Sequence, residues 1–500
     1  MQKALSASLF VSLRWSLFSI DAVLFLFAIV CTPLAAQDDI STQHGSSGFN
    51  GVFLTGPASN PLSFLNGPAL RTTGNPAPYD FHDFAPATYV DAKLPQWIDL
   101  TAEERFRYEA YDNNNFKFGI NDSYLLNRFR FQMDLRTPSW FRVTAQVQDA
   151  RAGFQNPPIG PPNTVRWDLK LAYAEIGDPG KHWFSLRVGR QLINYNNTII
   201  ANSEWRNQAR SYDAAVVNLN AKREHLGIFA ASPIVPQAYG VTPHQEGNNI
   251  YGAYGRVDDF LVPHSNLEPF FLWRVQPAEV VEPAKGKTTG KENEKVGGVR
   301  FKAQAHMAFD YGGEVILQTG KVGAQSIRAS AAQAGAAYQF LNIPAKPRIF
   351  TQYDYATGNS NPAQNATHTT FDTIEPTAHD RFGITDLFGG QNIESVRAGA
   401  TMEPHRRFTL TAQGLDFWTA DALDSIYNTS GGAIGNNKTD HGRHVGAEID
   451  GYSWYELNKH FNVGGGVGYF GGGQFLTHVA TSHSYTTYYV ALNFKDNGKK

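Results

Sequence analysis

From Ile98 onward the chain alternates apolar and polar residues with a period of two, and the polar set is heavily charged. Ile98, Leu100, Ala102, Phe106 and Tyr108 fall on one side, with Glu104 the exception, and Asp99, Thr101, Glu103, Arg105, Arg107 and Glu109 fall on the other. The pattern repeats with Leu125, Phe129, Phe131, Met133 and Leu135 against Arg128, Arg130, Gln132, Asp134 and Arg136, then with Phe141, Val143, Ala145 and Val147 against Arg142, Thr144, Gln146 and Gln148. A β-strand sends successive side chains to opposite faces, whereas a helix would scatter these residues around its circumference. The arginine rows constrain the fold further. A soluble sandwich does not require its second face to carry Arg beside Gln and Asp, and no linker divides 97–494 into several such domains. A propeller would show a blade repeat, and none is visible. A barrel with lipid outside and water inside does require this pattern.

The last strand-like segment agrees. Tyr488, Val490, Leu492 and Phe494 are apolar at every second position, opposite Tyr489, Ala491 and Asn493. It resembles the C-terminal assembly signal of bacterial outer-membrane barrels, with Phe494 as the aromatic end, although the tail Lys495 to Lys500 follows where the aromatic is usually last. At the other end, Lys3 and Arg14 precede an apolar run from Ala22 to Val30, and small residues lead to Ala36. A basic start, a short apolar core and a small-residue exit describe a secretory signal peptide over 1–36. Cys31 is the chain's one cysteine, and the bulky Val30 before it argues against a lipoprotein. A mature exported chain without disulfides needs another closure, and a continuous ladder of backbone hydrogen bonds supplies it.

Composition removes other classes. A net charge of -2 gives no global attraction to nucleic acid. After the signal no apolar run reaches eighteen residues, so helical membrane spans are excluded. Residues 37–96, rich in Gly, Pro and Ser, read as an extended leader, whose Phe49, Phe53, Phe64 and Phe81 suit docking on the barrel or in its lumen. Strands are expected near 166–177, 183–191, 210–219, 225–232, 249–257, 267–275, 295–303, 306–319, 327–340, 347–357, 392–402, 406–417, 444–454, 460–470 and 484–494. With the first three these make about eighteen. The fold expected is all-β, a single transmembrane antiparallel β-barrel over 97–494, wide enough for an aqueous channel.

The weaker constellations point elsewhere than catalysis. His379 with Asp380 and Asp386 reads as loop structure in a Gly-rich segment. Ser203, Glu204, Ser211 and Asp213 have no histidine placed by a motif to complete a triad. The glycines 464–466 and 471–473 lack the Lys and the strand-to-helix context of a phosphate loop. No catalytic residue, metal or cofactor is expected.

Several motifs together carry a family resemblance. Gly189-Arg-Gln191, Glu204-Trp-Arg-Asn207 and Arg210-Ser-Tyr-Asp213 resemble the signature of the alginate export family of outer-membrane porins. Gln146-Val-Gln-Asp149 with Arg151 is similar to its preceding strand. Asp310-Tyr311 with Glu314 and Gln318, and Tyr353-Asp-Tyr-Ala-Thr-Gly358, also fit. Pro376-Thr-Ala-His379, Gly383, Asp386 and Gln391-Asn392 resemble its long late loop. The resemblance spans about 97–475 and implies an eighteen-stranded barrel conducting an acidic polysaccharide outward.

Turning the polar faces inward gives a candidate substrate path of Arg105, Arg107, Arg128, Arg130, Arg136, Arg142, Lys170, Arg187, Arg300, Arg348 and Arg397, with Lys302 and Arg407 beside them. Guanidinium binds carboxylate as a planar fork, which suits a uronate polymer. The same inward faces carry Asp99, Glu103, Glu109, Asp134, Asp168, Asp310, Glu314, Asp354, Glu448 and Asp450, which could instead pair with the cations and brace the wall. The expected function is passage of an anionic polysaccharide such as alginate through the bacterial outer membrane. Uptake of small solutes through the same barrel is the alternative, followed by a barrel enzyme acting on lipid or polysaccharide. Expected partners are outer-membrane lipid, the anionic polysaccharide, periplasmic export proteins and the barrel-assembly machinery, with no nucleic acid.

Overall fold

The computed structural model describes residues 84–498, apart from 138–139, 155–162, 196–197, 282–287, 306–307, 361–366, 378, 380 and 436–441. The segment read as a signal peptide and the leader aromatics up to Phe81 lie outside the described residues. The chain first forms a short helix α1 (Pro86–Asp91), then β1 (Ile98–Asp112), β2 (Asp122–Arg136), β3 (Phe141–Gly153), β4 (Val165–Ile176), β5 (Phe184–Gln191) and β6 (Tyr212–Asn220). Next come β7 (Glu224–Pro233), β8 (Asn249–Asp258), β9 (Ser265–Val281), β10 (Thr288–Ala305), β11 (Phe309–Val322) and β12 (Gln325–Gln339). The last third contains β13 (Arg348–Ala356), β14 (Ile393–His405), β15 (Phe408–Trp418), β16 (His444–Glu456), β17 (Phe461–Gly472), the helix α2 (Gln474–Val479) and β18 (Ser484–Asp496).

Each of these strands pairs antiparallel with its neighbour in sequence, and β18 pairs with β1, from Ala102 opposite Asp496 to Asp112 opposite Thr486. Among the described residues these eighteen strands therefore close into an antiparallel barrel, to which only the two-residue strand Thr367–His368 adds, in parallel beside β12. Closure leaves no edge, which a lipid-embedded sheet cannot tolerate because no water would satisfy the exposed backbone groups. Because the strand count is even, both described ends lie on one side. The connections on that side are short, from 406–407 to 340–347. The opposite side carries 192–211 and 357–392.

Burial follows the alternation in inverted form. Phe131, Met133 and Val147 are exposed, whereas Arg128, Arg130, Asp134, Thr144 and Gln148 are buried. The apolar face is thus the outer wall and the charged face lines the interior. Glu104 breaks the outer pattern and receives the Asn127 side-chain amide from the adjacent strand. Trp97, Trp140 and Trp183 stand one residue before β1, β3 and β5 and are exposed, marking a rim at the short-turn end. Aromatic residues at that level match the interfacial girdles of outer-membrane barrels.

Three details differ from the sequence reading. The segments expected at 267–275 and 295–303 extend to Ser265–Val281 and Thr288–Ala305. The end added to β9 is interrupted by Pro277 and Glu279, and the end added to β10, Thr288 to Glu294, is polar, so no apolar alternation announces them. Arg407, read as inward, instead sits in the short turn 406–407 and donates to the Leu457 carbonyl at 3.3 Å. Within the segment read as leader, Pro86 opens a helical turn, which fits proline's preference for the first helical position.

The outward assignment is testable. Phe131→Arg should cost about 2–4 kcal/mol if the site lies near the bilayer midplane, and Gln132→Arg much less. The fraction of heat-modifiable protein recovered in detergent measures both, and equal losses would contradict the face assignment.

Candidate functional site

The interior is organised by arginines on β1 and β2. Arg105 lies opposite Arg128 in the β1–β2 register, and Arg130 lies opposite Glu103. Guanidinium groups packed this closely repel one another unless counter-charge reaches them. The loop 192–211, between β5 and β6, provides it by folding inward. Arg105 donates to the carbonyls of Glu204 (2.9 Å), Trp205 (3.2 Å) and Arg206 (3.0 Å). Arg107 donates to the Trp205 carbonyl at 2.6 Å and pairs with Glu109. The Glu204 carboxylate takes Arg128 at 3.1 Å and Arg130 at 2.9 Å. Lys170 donates to the Ala209 carbonyl. Asn207 adds amide bonds to the carbonyls of Asn127 (3.0 Å), Arg151 (3.2 Å) and Asn163 (2.9 Å). Burial alone would raise the Glu204 pKa, but Arg130, Arg128 and Lys170 outweigh it and hold the carboxyl at about 2.

A second loop, 357–392 between β13 and β14, also folds inward and meets the first. The Ala201 amide donates to the Glu375 carbonyl at 2.8 Å, and the Glu375 amide donates to Ile199 at 2.9 Å. Arg210 forms an ion pair with Glu375. The Trp205 indole lies between Arg107, 3.8 Å above its ring, and His379, stacked at 3.8 Å and 5°. His379 Nδ1 is in turn 2.9 Å from Asp386. From there the second loop reaches across to other strands. Arg381 binds Asp354 on β13 at 2.7 Å, and the amides of Ile384 and Thr385 approach Asp450 (3.2 Å) and Glu448 (3.1 Å) on β16. Gly383 has φ +87°, and a Cβ there would collide with the Glu448 carboxylate. Phe371, Phe382 and Phe388 are buried among these loops, with Phe388 5.0 Å from Phe417 and 5.5 Å from Phe470. The barrel thus holds an apolar core inside its lumen, made by the loops together with inward strand side chains such as Phe417 and Phe470.

The remaining expected path residues are inward and mostly matched. Arg136 pairs with Asp99 at 3.0 Å, Arg142 with Glu175 at 3.1 Å and Arg187 with Glu175 at 2.6 Å. Arg300 and Lys302 share Glu268, the lysine at 2.8 Å. Arg348 pairs with Asp310 at 2.6 Å, and Arg397 donates to Gln413 at 2.6 Å. Arg136 and Arg142 retain 35% and 22% of their side-chain exposure, against 3–5% for Arg107, Arg128, Arg130 and Arg348.

Sequence reading did not single out Arg206 as a path residue. It lines two cavities, of about 420 Å³ and about 260 Å³, that also share Arg210 and Glu375. Its guanidinium donates to the Thr429 carbonyl at 3.3 Å and, among the described residues, forms no ion pair. Burial and nearby Arg210 push its pKa down to about 10, which leaves it cationic at neutral pH. The larger cavity also bears Glu292, Glu294 and Asp372, whose carboxylates converge closely enough for a cation. Arg274 already sits among them, 2.7 Å from Asp372 and 3.6 Å from Glu292.

The motif residues acquire physical roles. Gly189 has φ +122°, and a Cβ there would strike the Ala172 carbonyl, so the strand crossing requires glycine. Arg190 binds Asp213 across β5 and β6 at 2.9 Å. Asn392 donates to Asp421 (3.1 Å) and Ser425 (2.9 Å), tying the second inward loop to the next one.

Comparison with known proteins agrees with this architecture. No protein of curated function matches the chain. Among solved structures, Acinetobacter baumannii OccAB1 is similar with a TM-score of 0.56 at 10% identity, over 80% of this chain and 96% of that one. Pseudomonas aeruginosa OccD3 (OpdP) has a TM-score of 0.54 at 12% identity, over 81% and 92%. Pseudomonas aeruginosa OpdK with vanillate has 0.53 at 10% identity, over 79% and 98%. At such identities the likeness is one of fold. The model of the alginate export family matches residues 96–490. With the closed barrel and its inverted polarity, this makes the chain a channel-type protein of the bacterial outer membrane. The chain belongs to the alginate export family.

Proposed function

We propose that this protein is a passive channel for an acidic saccharide, a uronate polymer such as alginate, and that its carboxylates are met by the few lumen cations that remain incompletely neutralised. The observation that carries this reading is Arg206, which among the described residues forms no ion pair and lies at the junction of two cavities. Arg105, Arg107, Arg128, Arg130 and Lys170 act in this reading by holding the inward loop. Arg300, Arg348 and Arg397 act by shaping the opposite wall. Arg136 and Arg142, the more open of the lumen arginines, form the basic station nearer the short-turn end, which is periplasmic in outer-membrane barrels, while Arg187 holds the Glu175 that Arg142 also meets. A polymer would meet this station first and Arg206 later. Several moderate sites bind and also release, as conduction requires.

Uptake of a small carboxylate is the second reading. Two inward loops reduce the cross-section, and a fold relative, OpdK, is solved with vanillate. Channel block in planar bilayers separates the two. Block that strengthens with oligouronate length supports the polymer, and equal block by a monomeric carboxylate supports the small solute.

Arg206→Ser should weaken oligouronate block about two- to five-fold, since a solvated ion pair contributes roughly 0.5–1 kcal/mol. It should also lower anion-over-cation permeability while the barrel remains heat-modifiable. Unchanged block and selectivity would remove Arg206 from the path.

Glu204 gives a pH-dependent prediction. Its folded pKa, about 2, lies below the ordinary 4.5. Its pairing with Arg128 and Arg130 is therefore complete above about 4.5 and is lost as pH falls toward 2. Glu204→Gln should raise anion selectivity at pH 7, because the arginine cluster loses its carboxylate. The wild-type channel should approach the variant only near pH 2. Reversal potentials in a KCl gradient at pH 7, 5 and 3 test this, and identical values for both proteins at pH 7 would refute it.

A further inference from the structure

The closing seam carries a feature that a channel does not need. On the outer face of β18, Tyr488, Val490 and Leu492 are exposed, yet Asp496 on the same face is 0% exposed. On the outer face of β1, Phe106 and Tyr108 are exposed, yet Leu100 is only 7% exposed. The cover is the segment that contains α1. The Asp496 carboxylate accepts the Thr88 backbone amide at 3.0 Å and the Thr88 hydroxyl, and that hydroxyl also reaches the Gly498 carbonyl at 3.2 Å. Phe84 lies 5.6 Å from Phe494, whose ring also meets Phe461 at 4.8 Å. The helix therefore sits outside the barrel, across β1 and β18, at the short-turn end. It removes from the outer surface a carboxylate that would otherwise face the boundary of the lipid, where an unpaired charge is costly.

The other face of this segment is apolar and open. Phe84, Tyr89, Val90 and Trp97 are all exposed. Lys93 folds back over the Tyr89 ring, 3.9 Å from its centroid and 2.7 Å from its hydroxyl. Trp140 and Trp183 stand at the same rim, one residue before β3 and β5. The exposed face of α1 is thus continuous with the aromatic girdle and with the lipid-facing wall. Aromatic rings with polar tips and a lysine whose amine can reach headgroup phosphate are the composition of an interfacial segment.

We propose that residues 84–97 are an interfacial anchor, a docking surface for the phospholipid headgroup boundary of the periplasmic leaflet, held to the barrel by the Thr88–Asp496 clasp across the closing seam. Phe84, Tyr89, Val90 and Trp97 enter the boundary, and Lys93 meets the phosphates. The clasp joins the first and last strands through groups outside the backbone ladder, so it also reinforces the point where the barrel closes.

Environment-sensitive fluorophores on the full-length protein test this. Tyr89→Cys, Val90→Cys and, as an aqueous control in the short turn 221–223, Lys222→Cys would be made in a Cys31→Ser background and labelled with NBD. The proteins would be placed in phosphatidylethanolamine/phosphatidylglycerol vesicles, keeping only heat-modifiable preparations. Iodide quenching at positions 89 and 90 should be at least two-fold weaker than at 222, and lipids spin-labelled near the headgroup should quench 89 and 90 but not 222. Thr88→Val, which keeps shape and removes the hydroxyl bonds to Asp496 and Gly498, should return iodide quenching at 89 and 90 toward the control value. Iodide access at 89 and 90 equal to that at 222 in the unmodified clasp would overturn the anchor and favour a water-facing surface. Full lipid quenching that Thr88→Val leaves unchanged would overturn the clasp.

Discussion

A sheet placed in hydrocarbon must pair every backbone N–H and C=O with itself, and the rest of this molecule follows from that closure. The pairing of β1 with β18 turns eighteen strands into a wall without an edge. Because side chains alternate, the wall has one face for lipid and one for the interior, and the polarity of a soluble protein is inverted. Phe131 is exposed and Arg130 beside it is buried. The same closure makes the seam special. There the strand partners are separated by nearly the whole chain, and the helix from residues 86–91 lies across the junction.

An interior wall of charge creates a second requirement. Arg105, Arg107, Arg128 and Arg130 come from two adjacent strands, and their mutual repulsion must be offset locally. Glu103 and Glu109 offset part of it. The remainder is met by Glu204 and by three successive carbonyls of the loop 192–211. Carbonyl oxygens carry only partial charge, so several must converge on one guanidinium, and that convergence fixes the loop's path. Once it is fixed, Trp205 presents its ring to His379 and Glu375 pairs with Ile199 and Ala201, which draws in the second loop. The narrowing of the lumen is in this sense a consequence of neutralising the wall.

The barrel was legible from the sequence because its signal is local. A period of two appears within five or six residues, and the strands from β1 to β18 fall within a few residues of expectation except at the polar ends of β9 and β10. The inward faces were legible for the same reason. What the cations touch was not. The partners of Arg105 and Arg128 lie 76 to 101 residues away along the chain, in a loop with no periodicity to read. The motif Glu204-Trp-Arg-Asn207 was visible as a family resemblance, but its work divides between main-chain carbonyls, one carboxylate, one ring and one amide. Only the fold brings these to Arg105, Arg128, Arg107 and Asn127. The helix at Pro86 was hidden differently, because a single helical turn in a Pro- and Gly-rich stretch gains its stability from Asp496 and Phe494, at the far end of the chain.

Counting charges on inward faces therefore says little about selectivity. A guanidinium bound at 2.6 Å by a carboxylate, as Arg348 and Arg187 are, presents little net field to a passing ion. Releasing it for a substrate carboxylate would strand its first partner in the wall, at a cost of several kcal/mol for a buried pair. In the proposed reading, selectivity rests on cations that have neutral or solvated partners and also border open volume. Arg206 meets that description, with one carbonyl contact from its guanidinium among the described residues and two cavities beside it. Arg136 meets it in part, because its pairing with Asp99 remains open to solvent and can exchange with little penalty. In that reading the wall arginines fix where the loops lie, and the incompletely compensated ones, Arg206 within the first loop and Arg136 on the wall, are left to distinguish one solute from another.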